Sequence, residues 1–231
     1  MNQRSPQPWS ASRALPALTA LALCAGACSA TSLPDPALDT PASATAATAV
    51  LAGGCFWGME GVFEHVKGVT RVDSGYTGGS VVNPGYEQVS SGETGHAESV
   101  RITYDPTRVS YGQLLKVFFA VAHDPTELNR QGPDSGSQYR SAIFYASPEQ
   151  QRVAAAYIAQ LQAARVFARP IATQVAPLKP FYPAEAYHQH YLDLHPRQPY
   201  IVFNDLPKIA QLKRQLPALY VERPAAQAGH P

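Results

Sequence analysis

The stretch Leu51-Ala52-Gly53-Gly54-Cys55-Phe56-Trp57-Gly58-Met59-Glu60 constrains the fold more than any other. Small and apolar residues run into two glycines, then come a lone cysteine and two large aromatics. This order predicts a strand, a tight turn and a helix whose first turn carries the thiol. The positive end of a helix dipole stabilises a thiolate, and a thiol there falls from a pKa of about 8.5 towards ~3.5–7.5. The pattern therefore predicts a nucleophilic cysteine.

The rest of the chain reads as alternating strands and helices. A buried strand is predicted over residues 48–53, a helix over 56–65 and a strand over 69–76. Residues 77–95 are dense in Gly, Ser and Asn and read as a long loop. Residues 96–104 alternate, so Glu98, Val100, Ile102 and Tyr104 share one strand face. Three of the four are core formers. Glu98 is thus placed at the edge of the core, where desolvation raises a carboxyl pKa. A carboxylic acid that stays protonated there suits acid catalysis at neutral pH.

Further on, Ser110 and Gln113 form a capping box for a helix to about residue 121. Residues 123–138 form a second polar loop, and 139–146 a strand. Ser147-Pro148 opens a helix to about residue 165, with proline at its first position. A strand over 171–176, a short helix over 183–194 and a last helix over 205–216 follow, with a disordered tail at 217–231. Alternating elements with long connections predict a two-layer α/β (α+β) sandwich.

Residues 1–27 read as a secretory signal, with Arg4 and Arg13 ahead of a short apolar stretch. Two exits are open. Ala25-Gly26-Ala27 fits ordinary cleavage, and Ala25-Gly26-Ala27-Cys28 fits a lipoprotein box in which Cys28 is lipidated. Residues 28–46, rich in Ala, Ser, Thr and Pro, read as a flexible linker before a domain over 47–216. Export to the periplasm, free or lipid-anchored, is expected. Of three cysteines only Cys55 lies in the folding part, so no disulfide framework is predicted there. With 18 Lys and Arg against 17 Asp and Glu, nothing pulls the chain towards nucleic acid.

Each candidate has a plainer reading. A lone cysteine is often a small buried hydrophobe. Phe56 and Trp57 suit a core, though adjacent helix residues diverge by about a quarter turn and cannot both enter it. Tyr86 and Tyr139 adjoin polar loops, where tyrosines are common. His188, His190 and His195 suggest a metal site, but residues two apart on a helix face away from each other. His96 or His123 as a base for Cys55 would give a cysteine hydrolase. A third reading is a binding module in which aromatics cage a methyl-sulfur ligand and Cys55 is inert.

The motifs resemble one family. Gly54-Cys55-Phe56-Trp57-Gly58 with Glu60 is similar to the active-site signature of A-type peptide-methionine sulfoxide reductases. In the same order follow Gly75-Tyr76-Thr77-Gly78-Gly79, Asn83-Pro84-Gly85-Tyr86 and Gly92-Glu93-Thr94-Gly95-His96-Ala97-Glu98. Then come His123-Asp124-Pro125-Thr126, Gln131-Gly132-Pro133-Asp134, Gly136-Ser137-Gln138-Tyr139-Arg140-Ser141 and Ala186-Tyr187-His188-Gln189. The resemblance covers residues 48–204. It implies that Cys55 attacks the sulfoxide sulfur and Glu98 protonates the oxygen. It also implies that Tyr86 and Tyr139 hydrogen-bond that oxygen, Asp134 orders the site, and Phe56 and Trp57 enclose the substrate methyl group. The implied substrate is the S epimer of methionine sulfoxide, in proteins or free. The expected architecture is a ferredoxin-like mixed sheet with helices packed on it and long active-site loops.

The resemblance implies no metal or organic cofactor, and a monomer is expected. Many members carry one or two later cysteines that resolve a sulfenic acid on the first. Residues 56–231 have none. The expected reductant is therefore an external thiol: a thioredoxin-like protein, a glutaredoxin or a small thiol.

Overall fold

The computed structural model describes residues 1–3, 33–43 and 45–223. Contacts divide the chain into residues 1–30 and 31–231, and in the first unit only residues 1–3 are described, without regular structure. The predicted signal, Cys24 and the lipidation candidate Cys28 lie outside the described residues.

Strands β1 (Ala47–Gly53), β2 (Val69–Thr77), β3 (Ala97–Tyr104) and β6 (Ser141–Tyr145) form the centre of a six-stranded sheet ordered β7-β6-β1-β3-β2-β8. These four pair antiparallel, in the order and connection of a ferredoxin-like unit. β7 (Gln174–Pro177) adds in parallel to β6, and β8 (Tyr182–Pro183) antiparallel to β2, so the sheet is mixed. β4 (Arg130–Gln131) and β5 (Asp134–Ser135) make a separate hairpin in the second long loop.

The helices follow the apolar faces of their sequences. Alternation along β1 sends Leu51 into the main core, while Val50 and Ala52 face the other side of the sheet. The main core also takes Met59, Val62 and Phe63 of α1 (Phe56–Glu64) and Leu114 and Leu115 of α3 (Tyr111–Val117). It further takes Val153, Tyr157 and Leu161 of α4 (Pro148–Ala163). Burying one such side chain stabilises by about 1.5–3 kcal/mol. The opposite face is covered by Ala176, Leu178 and Phe181 packed on Val50, Ala52 and Phe144. The capping box at α3 forms as predicted: Ser110 Oγ accepts the Gln113 amide at 3.1 Å, and Gln113 Oε1 accepts that of Ser110 at 2.9 Å.

Several boundaries differ from expectation. Residues 33–40, expected in a flexible linker, are a strap across α3 and α4. Tyr157 Oη donates to the Pro34 carbonyl at 2.9 Å, and Gln160 Oε1 accepts from the Ala37 amide at 2.9 Å. Asp39 accepts from the Gly112 amide at 2.8 Å and from Ser110 Oγ. Leu33 and Leu38 pack on the core, which gives the strap an apolar anchor that its Ala, Ser and Pro content concealed.

Residues 217–223 are likewise fastened rather than disordered. The Lys67 amide donates to the Leu219 carbonyl at 2.7 Å, and Tyr220 bridges to Val66. The predicted helix over 183–194 is broken into β8, a single 3-10 turn and α5 (Tyr191–Leu194), with His190 at a left-handed φ of 53° just before α5. The last helix, α6 (Leu206–Gln215), is preceded by a wide π turn over Ile201–Asp205. Among the described residues no helix is long and apolar enough to cross a membrane.

Candidate active site

The turn after β1 sets Cys55 in place. Gly54 has a φ of +95°, and a Cβ there would come within 2.6 Å of the Gln131 side chain, so only glycine fits. Cys55 then caps the N-terminus of α1, with φ −54° and ψ 124°. Its side chain is buried in a cavity of about 150 Å³ lined by Cys55, Phe56, Trp57, Tyr86, Glu98, Asp134, Tyr139 and Tyr200. The seven pocket residues named from the sequence thus meet, and Tyr200 joins them. A larger hollow of about 580 Å³ beside Arg165 and Arg169 contains no nucleophile.

The electrostatics of the thiol correct one expectation. The helix end was expected to lower its pKa. Burial, with Glu98 next and then Asp205, instead pushes the Cys55 thiol well above the ordinary value, against the lowering effect of the Trp57 amide. α1 has only nine residues, and burial of the sulfur outweighs its terminus. The resting cysteine is a thiol.

Glu98 behaves as its strand pattern predicts. It sits opposite Tyr76 of β2, is 2% exposed, and its Oε2 accepts the Phe56 amide at 3.1 Å. Burial raises its pKa to about 8, opposed by that amide. The carboxyl is therefore protonated at neutral pH.

The remaining wall comes from four separate parts of the chain. Tyr86 opens α2 (Tyr86–Ser90), and its amide donates to Glu185 Oε1 at 2.8 Å. Tyr139 ends the 3-10 turn Ser137–Tyr139. Burial raises both phenols, so both remain hydroxyl donors. Asp134 lies on β5 and accepts a hydrogen bond from Tyr200 Oη. Phe56 is fully buried, while half-buried Trp57 stacks on Tyr191 with centroids 3.8 Å apart and meets Tyr200 edge-on at 6.0 Å. Phe56 enters the core and Trp57 is only partly buried against it, yet both face the one cavity.

The histidines take other work. His96 Nδ1 accepts the Gly79 amide at 3.2 Å and Nε2 lies 2.8 Å from the Val81 carbonyl. His123 lies 2.7 Å from Ser141 Oγ and 3.0 Å from the Phe118 carbonyl, and burial lowers its pKa to about 3. Neither lines the cavity, so the hydrolase reading loses its base. His188 Nδ1 pairs with Trp57, His190 with Glu64, and His195 lies on the Tyr191 ring, so the three do not converge on one ion. Glu60, Glu64 and His190 do meet, but Arg223 already supplies a positive charge at Glu64.

Two residues that shape the surroundings of the thiol carry no sequence signal of that role. Tyr200 follows a Gln-Pro pair with no periodic signal. Asp205 is fully buried, pairs with Lys208 at 3.2 Å, and approaches α1 where a Cβ on Gly58 would strike its carboxylate. Its only trace is an acid just ahead of Leu206-Pro207, the start of α6.

A model of the family described as peptide methionine sulfoxide reductase matches residues 47–218. The chain belongs to this family. It is 58% identical over 187 residues to peptide methionine sulfoxide reductase MsrA 2 of Mesorhizobium japonicum, covering 81% of this chain and 96% of that protein. MsrA of Deinococcus radiodurans is 51% identical, over 72% of this chain and 80% of its own. Among solved structures, methionine sulfoxide reductase A of Corynebacterium diphtheriae superposes with TM-score 0.59 at 36% identity, over 71% of this chain and 87% of that one. Reduced Mxr1 of Saccharomyces cerevisiae does so with TM-score 0.62 at 33% identity, over 70% and 92%. This A-type methionine sulfoxide reductase is an oxidoreductase with a mixed-sheet fold, as the sequence motifs implied.

Proposed function

We propose that this enzyme reduces methionine-S-sulfoxide, in proteins and as the free amino acid, by a one-cysteine cycle. The observation that carries the reading is the meeting of Cys55 and Glu98 in one small cavity, with the Phe56 amide on the carboxylate. Glu98 protonates the sulfoxide oxygen and makes the sulfur electrophilic. Cys55 attacks that sulfur, and the thiol proton returns the carboxyl to its acid form. The attack forms a bond between the two sulfurs; its cleavage, with transfer of the hydroxyl from the substrate sulfur to Cys55, breaks the substrate S–O bond, releases the thioether and leaves Cys55 as a sulfenic acid. The cysteine sulfur supplies the two electrons.

Tyr86 and Tyr139 donate to the developing negative charge on oxygen, as preorganised donors in a dry site do. Phe56 and Trp57 hold the methyl group, and Asp134, fixed by Tyr200, orders the opposite wall. Reaction of the sulfenic acid with an external thiol releases water and forms a mixed disulfide, which a second thiol opens. A thioredoxin-like protein, a glutaredoxin or a small thiol fills this role, because Cys55 is the only cysteine from residue 29 onwards. The leader-like residues 1–27 support a setting in the periplasm, free or anchored through Cys28, where the enzyme repairs oxidised envelope proteins as a monomer.

The test is a single turnover. Without reductant, the enzyme releases one equivalent of methionine from the S sulfoxide and leaves a dimedone-reactive Cys55. Several turnovers without a reductant, or no methionine at all, would sink the mechanism. Intact mass of the exported protein reports the cleavage site and any lipid on Cys28.

A further inference from the structure

The 3-10 turn Ser137–Tyr139 delivers Tyr139 to the cavity, yet its own backbone holds it by little. The Tyr139 amide donates to the Gly136 carbonyl at 3.0 Å, and the Arg140 amide to that of Ser137 at 3.3 Å. One such turn within a long loop is a weak support, because so few bonds offset the backbone entropy lost.

The residues on either side of Tyr139 supply the rest. Gln138 is 5% exposed, and its Nε2 donates to the Ser90 carbonyl at 3.0 Å. Arg140 Nη2 donates to the Gly95 carbonyl at 3.1 Å, while its Nη1 donates to the Ser137 carbonyl at 2.8 Å. Ser90 ends α2, which Tyr86 opens, and Gly95 lies just before β3, which carries Glu98. Both anchors thus lie on the connector between the helix of Tyr86 and the strand of Glu98. Glu185 holds the Tyr86 amide at the other end of α2, so that helix is fixed independently of the turn. A Cβ on Gly136, whose φ is +135°, would strike Gln138 Oε1, so glycine there lets the amide fold back against its own turn.

We propose that Gln138 and Arg140 are positioning residues for Tyr139: they clamp its turn to the connector between Tyr86 and Glu98, and so set the phenol's place beside the other two proton donors. Neither side chain lines the cavity, so both act through Tyr139. A donor aimed at developing charge works only where its position is fixed before the reaction, and small misplacements are costly. The proposal rests on the reading of Tyr139 as a donor to the sulfoxide oxygen.

Gln138→Met keeps the length of the side chain and removes its N–H. Single-turnover methionine release should slow roughly 3–10-fold, the range for one lost hydrogen bond, with KM for methionine sulfoxide unchanged. Arg140→Met slows release as well, and Arg140→Lys, which keeps the charge and a donor, recovers part of the rate. Tyr139→Phe slows the same step, and Q138M adds nothing further in that background. A merely structural role predicts a lower melting temperature at unchanged rate, or an equal loss with and without the Tyr139 hydroxyl. Either result would overturn the proposal, as would a change in KM alone or an R140K as slow as R140M. If Q138M does not fold, R140K takes its place in the cycle with Y139F. If Y139F leaves the rate unchanged, the reading of Tyr139 as a donor fails; if Y139F slows release and neither neighbour's variant does, only the clamp fails.

Discussion

Glu98 Oε2 accepts the backbone N–H of Phe56, the first residue of α1, at 3.1 Å. The same strand residue therefore fills a vacancy at the helix end that the Cys55 side chain leaves open. It also decides where the acid proton sits. With Oε2 occupied as an acceptor, the proton is carried by Oε1. Glu98→Gln keeps an acceptor for Phe56 and a donor in place of the O–H, but has no proton to transfer. Single-turnover methionine release should slow by roughly 10²–10⁴-fold in this variant, the usual worth of acid catalysis. A rate equal to wild type would remove Glu98 from the mechanism.

The raised thiol has its own signature. Burial holds Cys55 protonated, and Glu98 adds its charge once it ionises above about pH 8, so alkylation of the free enzyme by iodoacetamide should become fast only well above pH 8.5, the ordinary thiol pKa of about 8.5 being the reference. An anionic Glu98 disfavours a second negative charge beside it. Neutral Glu98→Gln should therefore shift the alkylation midpoint to lower pH. A midpoint below 8 in the wild-type enzyme would mean that the helix end, rather than burial, governs the resting thiol.

Tyr200 ties the C-terminal segment to the pocket through Asp134, and its ring meets Trp57 edge-on. Tyr200→Phe keeps the ring and frees the carboxylate. A hydrogen bond to a charged group contributes about 1.5–3 kcal/mol to stability, so the melting temperature should fall, and loss of the Asp134 orientation should lower kcat/KM roughly tenfold. Equal activity of Y200F would leave Asp134 ordered by other contacts.

How far this was legible in the sequence depends on the physics behind each residue. Glu98 could be read because a strand has period two, and its face partners Val100 and Ile102 are unmistakably apolar. Cys55 could be placed because Gly53-Gly54 marks a sharp turn into a helix. Its pKa could not, since the dominant causes are burial and charges on β3 and after residue 200, all remote in sequence. Asp134 and Tyr139 came only through family motifs, because loop residues carry no periodicity. Tyr200 and Asp205 reach the site through tertiary contacts that no local pattern encodes. Composition also misled at residues 33–40, where Leu33 and Leu38 are few but well placed.

That strap is open to test. Asp39 accepts the Gly112 amide and Ser110 Oγ at the start of α3, where an unsatisfied amide is costly. Asp39→Ala should lower stability by about 1–3 kcal/mol in urea unfolding, the range for losing hydrogen bonds to a carboxylate. Single-turnover rates should stay near wild type, since the strap contacts α3 and α4 and no pocket residue. An unchanged midpoint would mean that the segment behaves as the free linker its composition suggested.

Glu60 offers a prediction about pH. It is 1% exposed, and its Oε2 accepts from Ser74 Oγ at 3.2 Å and from the His190 amide at 3.0 Å. Its Oε1 has no hydrogen-bond partner and lies 3.7 Å from His190 Nδ1, and burial followed by repulsion from Glu64 raises its pKa to about 8. In the unfolded chain the same carboxyl ionises near 4.3, about the ordinary glutamate value. Between these two values the folded protein holds a proton that the unfolded chain has lost. Stability therefore falls as pH rises through this window, because the unfolded state binds fewer protons. Glu60→Gln keeps an acceptor for Ser74 and His190 and cannot ionise. At pH 5 the variant and the wild type should melt close together. At pH 8 the variant should be the more stable of the two. Glu98 titrates in both proteins and cancels from the comparison. A variant that loses as much stability as the wild type between pH 5 and pH 8 would show that Glu60 is ionised in the folded state, held by the positive charge of Arg223 near Glu64 rather than by a proton.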